Sequence, residues 1–182
     1  MHSIQECKKA AQEISTVLAE KEIFVYSHCV GSAIALQILK HFEKLGKPAK
    51  HYIAGASIPP LRPTGKNIWN LVPNRILKTV LSKAGAKLDG LPDESLDTLF
   101  KQFRKDTDFA NIGYFEFKEN ITTPVSLVIN RKDMFTINYN QAVRSWKKYA
   151  TDINKIYFIN SNTHYFQSDN AEELIKILQR II

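Results

Sequence analysis

Three side chains in this sequence have the types that, brought together, attack a carbonyl: Cys29, Asp133 and His164. Cys29 lies in the frame Ser27-His28-Cys29-Val30-Gly31-Ser32, the spacing of the G-x-S-x-G turn that lifts a nucleophile out of a strand-to-helix junction. Ser27 takes the first glycine's place, Cys29 the serine's, and Gly31 matches. Such a turn is tight and the helix packs close behind it, so small neighbours are expected; Ser27, Gly31 and Ser32 are small. A thiol at a helix N-terminus meets unpaired backbone N–H groups and the positive end of the helix dipole, both of which favour its anion, and a histidine can pair with it. His164 is the candidate partner. Asp133 is the candidate that holds the imidazole in one tautomer and stabilises its charged form. The backbone N–H of Val30, next after the nucleophile, would supply one donor of an oxyanion hole.

The elements that must position these groups follow from periodicity. Ser3 with Glu6 has capping-box spacing, and Ile4, Cys7, Ala11, Ile14, Val17 and Leu18 recur at helical intervals. The β-branched and aromatic run at 23–26 reads as a buried strand. Residues 33–45 are apolar on nearly all sides until Gly46-Lys47-Pro48 stops them, which predicts a helix buried on more than one face. Residues 52–54 make a second short strand, and the turn-rich 59–63 breaks regularity. From 67 to about 117 no strand is expected; Ile76, Leu77, Val80 and Leu81 make one helical stripe, and Leu96, Leu99, Phe100 and Phe103 another behind Pro92-Asp93. Strands return at 124–129 and 156–159, with a helix near 141–149 and a last one at Asn170 with Glu173 three residues on. Short apolar strands separated by helices predict a parallel sheet covered on both faces. In such a sheet functional groups collect beyond the carboxyl ends of the strands, and those ends carry Cys29, Asp133 and His164.

Composition narrows the classes. At 182 residues with 44% hydrophobic and 24% charged residues the chain has the balance of one globular domain. No apolar run approaches the ~18 residues of a membrane-spanning helix, and Glu6, Glu13, Glu20 and Glu22 interrupt what would be a signal peptide, so a soluble, cytoplasmic protein is expected. Two cysteines make no disulfide framework, and the five histidines have no metal-ligand spacing, so no metal and no cofactor is expected. The net charge of +7 comes from lysines and arginines scattered singly, which argues against nucleic acid.

Residues 24–39, the segment 52–60 with Ala54-Gly55-Ala56-Ser57 before its prolines, Leu91-Pro92-Asp93, Ile121-Thr122-Thr123-Pro124 leading into Asn130-Arg131-Lys132-Asp133, and Thr163-His164-Tyr165-Phe166 together resemble the type II thioesterases and thioesterase domains of nonribosomal peptide and polyketide synthases. The resemblance runs over most of the chain. It implies an α/β-hydrolase fold, with 67–117 as the lid over the acyl pocket. It also implies a substrate that is an acyl or peptidyl thioester on a carrier protein's phosphopantetheine arm. Asp133 matches the acid position of the type II enzymes; the alternative position, after the second strand, holds Ser57. The nucleophile, acid, histidine order is the one that fold uses. A basic rim would speed encounter with an acidic carrier.

Two departures matter. Cysteine replaces serine, so attack on a thioester exchanges one thioester for another, and acyl transfer to an amine stands beside hydrolysis as an outcome. The resemblance also implies strands ahead of the elbow, and a loop there that gives the second oxyanion N–H. Here only one helix precedes residue 23. The expectation is a truncated α/β-hydrolase at 1–182 that is a fragment of a synthase, a member without its front, or one that borrows an edge, with a homodimer through that edge. Alternatives are a small-molecule esterase with the same triad and an inactive docking domain.

Structural roles are assigned by the same reasoning. Cys7 belongs to the apolar stripe of the first helix. His28 is expected to line the turn, and His2, His41 and His51 to lie at the surface or helix ends. Trp69, Trp146, Phe100 and Phe103 are expected in the core.

Overall fold

The computed structural model describes residues 4–18, 20–60, 64, 66–136 and 138–182. In chain order it runs α1 (Ile4–Val17), β1 (Phe24–His28), α2 (Gly31–Lys44), β2 (His51–Gly55), a 3-10 turn (Ile68–Leu71), α3 (Asn74–Lys83), α4 (Asp93–Glu116), β3 (Val125–Asn130), α5 (Tyr139–Trp146), β4 (Ile153–Ile159), α6 (Phe166–Asp169) and α7 (Ala171–Gln179). The strands pair in sequence order, β1-β2-β3-β4, and every pairing is parallel.

Alternate residues of each strand feed opposite faces. Tyr52, Ala54, Val125, Leu127 and Ile129 point to one side, where Ala11 of α1, Leu36 and Leu39 of α2, Ala110 of α4 and Trp146 of α5 close over them. Ile53 and Val128 point to the other, under Phe166, Leu174 and Ile177. All six residues of β3 are buried, as its unbroken run Val-Ser-Leu-Val-Ile-Asn requires. β1 is different: its five residues are all half-buried, and among the described residues it pairs with β2 alone. Because Cys29 N–H donates to Gly55 O, the odd-numbered residues of β1 face β2, and the backbone groups of Phe24, Tyr26 and His28 face the open side.

The helix after the elbow carries Ala33, Leu36, Leu39 and Phe42 at intervals of three, all buried; each of the larger ones contributes about 1.5–3 kcal/mol by burial. It stops where expected. Gly46 takes φ 71, and Lys47 N–H donates to Phe42 O at 3.0 Å in a Schellman closure. In its last turn, Glu43 Oε1 accepts from Thr122 N at 2.5 Å and Thr123 N at 2.9 Å, which ties the approach to β3 to this helix.

The insertion between β2 and β3 is helical, as the missing strand pattern predicts. It has an apolar cluster of its own: Leu77, Leu81, Leu88, Leu96 and Phe100. Arg104 stitches it, donating from Nη2 to Val72 O at 2.7 Å and from Nε to Trp69 O at 3.1 Å. The second helical stripe turns out to be the start of a 24-residue helix that runs on to Glu116. Thr107, Ala110 and Gly113 carry its contact face beyond Phe103 with small residues, which weakens the hydrophobic signal but lets the backbone reach α2: Gln37 Nε2 donates to Gly113 O at 3.2 Å.

Three other expectations change. Asn170 is the N-cap of α7 as expected, its carbonyl accepting from Leu174 N at 3.2 Å, but its side chain makes no cap bond; the amide donates to Glu173 Oε2 at 2.6 Å and to Asn160 O at 2.7 Å. His51 is no surface residue but the first residue of β2, with Nε2 2.9 Å from Ser126 Oγ. Trp69 and Phe103 pack partly buried on the insertion's own cluster, whereas Trp146 and Phe100 are core as expected. Ser3 of the first capping box, His2 and residues 61–63 of the proline-rich turn lie outside the described residues.

Candidate active site

Cys29 stands at the turn between β1 and α2 with φ 52, a left-handed conformation that a non-glycine residue adopts only under constraint. The constraint is visible. Its N–H is held by Gly55 O at 2.9 Å, and its own carbonyl accepts from Ser32 N at 3.1 Å as the helix begins. Val30, the next residue, is the N-cap of α2, where a backbone N–H has no partner within the helix, and its carbonyl accepts from Ala33 N at 3.1 Å. Ser27 fills the first glycine's place by finding partners: its Oγ lies 2.7 Å from Tyr52 OH and 3.2 Å from Ser32 Oγ. Gly31 faces Ser27 Cβ across the turn at an ordinary packing distance, 3.7 Å from where its own Cβ would be.

Asp133 and His164 meet beyond the ends of β3 and β4. His164 Nδ1 is 2.7 Å from Asp133 Oδ2, and both side chains are almost fully buried. The carboxylate is pre-set by its own loop, accepting from Phe135 N at 2.9 Å and from Thr136 Oγ1 at 2.7 Å. Burial works against its charge, but the His164, Phe135 and Thr136 donors prevail and hold the carboxyl below its usual range. Burial also works against a charged His164; the hydrogen bonds and charges of Asp133 and Cys29 overcome it and raise the imidazole to about 9. The structure therefore brings Asp133 and His164 into contact, and Cys29 lies near enough to His164 to act on its charge.

His28 lines the turn as expected, yet it is more than lining. Its ring packs edge-on to His164 at 5.1 Å and to Phe166 at 4.9 Å, and its Nδ1 lies 3.3 Å from Tyr26 OH. Its Nε2 is buried and finds no well-formed partner. Burial first, and the neighbouring His164 charge second, lower it to about 4, so it is neutral at pH 7. Cys7 is buried in α1 and its thiol is pushed up by burial and then by Glu6, which makes it unreactive.

Two tyrosines that the sequence reading does not single out lie close to the site. Tyr114, near the end of α4, is buried, and burial followed by the Tyr52 charge raises its hydroxyl, with Ser57 and Cys29 close enough to act on it. Tyr165 is raised by burial and then by Cys29 and Asp133. The 3–4 spacing Phe100, Phe103, Thr107, Ala110, Tyr114 was the readable clue to the first. No group of three or more potential metal ligands occurs among the described residues, and no helix among them is long and apolar enough to cross a membrane.

A parallel sheet with an elbow after one strand, an acid after another, a histidine after the last and a helical insertion between is the α/β-hydrolase fold. Comparison with solved structures agrees. The chain is similar to the thioesterase RedJ of the prodiginine pathway of Streptomyces coelicolor, with TM-score 0.80 and 15% identity over 98% of this chain and 71% of that one. It is also similar to YbtT, a type II thioesterase of the yersiniabactin pathway (TM-score 0.78, 16% identity, 99% and 74% covered), and to human thioesterase 2 (0.69, 18%, 97% and 80%). ClbQ, from the colibactin pathway, and the type II thioesterase BorB, from the borrelidin cluster, are further neighbours. No family model and no curated protein matches the sequence. At identities this low the likeness establishes the fold.

Proposed function

We propose that this chain acts on acyl or peptidyl thioesters carried by the phosphopantetheine arm of a carrier protein in nonribosomal peptide or polyketide biosynthesis, through Cys29, His164 and Asp133. The observation that carries the reading is the 2.7 Å Asp133–His164 contact beside a cysteine held at φ 52 on the elbow. The thioesterase neighbours favour the same substrate class.

His164 takes the Cys29 proton, and with its imidazole raised to about 9 it retains that proton at pH 7 while Asp133 offsets the charge. The Cys29 Sγ attacks the thioester carbonyl, and Val30 N–H stabilises the oxyanion. Collapse breaks the carbon–sulfur bond to pantetheine, and the leaving thiolate takes the proton from His164. Thioester has been exchanged for thioester. Neutral His164 next removes a proton from water or an amine as it attacks the acyl-enzyme; the Cys29 thiolate leaves, regaining the paired state, and free acid or amide departs.

The lid supports a carrier as partner. Between residues 66 and 88 it bears Lys66, Arg75, Lys78, Lys83 and Lys87 and no carboxylate, with Ile68, Leu71 and Ile76 exposed between them. An acidic protein surface with an apolar contact of its own complements this segment, whereas the carboxylates of the insertion lie between Asp89 and Glu116.

Iodoacetamide labelling tests the chemistry: Cys29 reacts faster than Cys7, and His164→Ala abolishes the difference. Equal, slow labelling of both would reject the enzyme reading. Mass spectrometry of products from an amine-bearing acyl-pantetheine separates the two outcomes, and free acid alone would exclude aminolysis. Turnover that gains nothing from a carrier protein would favour a small-molecule esterase.

A further inference from the structure

The lid meets the loop that carries His164 at the end of α3. Where α3 ends, the turn Ala84-Gly85-Ala86 sits on the loop that carries the imidazole: His164 N–H donates to Ala84 O at 2.8 Å. One residue earlier the contact is steric. Gly85 has φ 103, and a Cβ built on it would fall 2.3 Å from both Cβ and Cγ2 of Thr163. Thr163 has little room to yield. Its carbonyl accepts from Asn130 Nδ2 at 2.9 Å, and its hydroxyl donates to Asp169 Oδ2 at 2.5 Å. A second contact approaches from the ring side, where Trp69 of the lid faces Phe135 at 6.3 Å and Phe135 faces the His164 ring at 5.1 Å.

His164 is therefore held by two parts of the chain. Asp133 fixes the ring from the sheet, and the lid fixes the backbone from which the ring extends. The lid has a separate apolar cluster, so the Ala84–His164 and Gly85–Thr163 contacts join two packing units. We propose that the Ala84-Gly85 turn is a positioning element for His164, and that the imidazole reaches Asp133 and Cys29 together only when the lid is seated on Thr163. The proposal rests on the reading of Cys29, His164 and Asp133 as the reacting groups.

Gly85→Ala tests it, with Gly90→Ala as the control. Both glycines lie in the lid at positive φ, 103 and 79, so both variants carry the backbone penalty of an alanine there. Only the first adds a clash, because nothing lies within 4 Å of a Cβ on Gly90. The titratable groups that face or act on His164 are Asp133, Cys29, His28 and Tyr165, and residues 84–86 add none, so a changed pH profile reports position and not a lost charge.

For Gly85→Ala we expect kcat on an acyl-pantetheine about 10²-fold lower with KM within about twofold, the scale of an ångström's misplacement. Its Cys29 alkylation at pH 6 should fall about tenfold toward that of an unassisted thiol. Gly90→Ala should lose thermal stability and keep both the kcat and the alkylation profile. A folded Gly85→Ala with the wild-type profile overturns the proposal, as does Gly90→Ala showing the same loss. Amide hydrogen exchange on the wild-type chain reads the contact without a variant: His164 N–H should open together with the last amides of α3, and exchange at the rate of a free loop overturns the proposal. If wild-type Cys29 labels no faster than Cys7, the underlying reading fails and the proposal with it; wild-type reactivity preserved in Gly85→Ala removes the positioning role alone.

Discussion

The imidazoles of His28 and His164 lie 5.1 Å apart, edge to face, and the structure drives them to opposite charge states. Burial and the His164 charge lower His28 to about 4; Asp133 and Cys29 outweigh burial and raise His164 to about 9. One site thus holds a neutral and a charged ring side by side, and only the ring bonded to the carboxylate is equipped to carry a proton.

The pair predicts a stability optimum. His164, raised in the fold, contributes stability that is complete below 6.5 and lost as pH rises through about 9. His28, lowered in the fold, contributes stability that is present above 6.5 and lost as pH falls through about 4. Thermal unfolding from pH 4 to pH 10 should give a Tm that is highest near the middle. His164→Gln should flatten the alkaline limb and His28→Phe the acid limb. A Tm that rises steadily across the whole range would contradict the assignment.

Asp133→Asn keeps the shape of the loop but loses the charge and allows the wrong tautomer of His164. Turnover should fall on the order of 10³- to 10⁴-fold with the fold retained. Cys29 alkylation should fall alongside it, since the imidazole loses the carboxylate that holds it charged. Unchanged alkylation in a folded Asp133→Asn would place the orienting role elsewhere.

Ser27→Gly moves the elbow closer to the glycine frame and should nevertheless weaken the protein. It strips Tyr52 OH, fully buried, of its 2.7 Å partner and puts a glycine into a strand. The expected loss is about 1–3 kcal/mol, read from the urea midpoint. Tyr52→Phe in the same background should recover part of it, because neither hydroxyl is then left alone.

Gly55→Ala tests the wall behind His28. An added Cβ would lie 2.7 Å from Tyr26 OH and 3.2 Å from Phe166 Cζ, both of which pack around that ring. Overpacking of this kind costs about 1–3 kcal/mol. Activity should drop further than stability alone accounts for, and equal activity per folded molecule would show the wall to be structural only.

Much of this was readable in the sequence, and the parts that were not have physical reasons. Strand runs such as 124–129 announce themselves because a strand buried on both faces has no polar alternation to confuse with a helix. Cys29, Asp133 and His164 could be nominated because each follows such a run. The far half of α4 was hidden by the small residues that let it touch α2. His51 was misplaced because a half-buried polar residue at the start of a strand looks like a loop residue, and only the Ser126 partner 2.9 Å away explains it. The charge state of His28 was not legible at all: it depends on Phe166 and His164, both more than 130 positions away.

The place of the lid in the chain also bears on how the molecule assembles. Strands pair in the order they are made, so each pairing except one closes over a single helical crossover; the exception is β2 with β3, which must close over the whole insertion. Doubling a loop adds only about 0.6 kcal/mol of closure entropy, so the equilibrium hardly registers the insertion. The kinetics should. Contacts distant in sequence form late, and the expected slow step in refolding is the joining of an early α1-to-β2 half to a β3-to-α7 half, with the Glu43 bonds to Thr122 and Thr123 as its first marker.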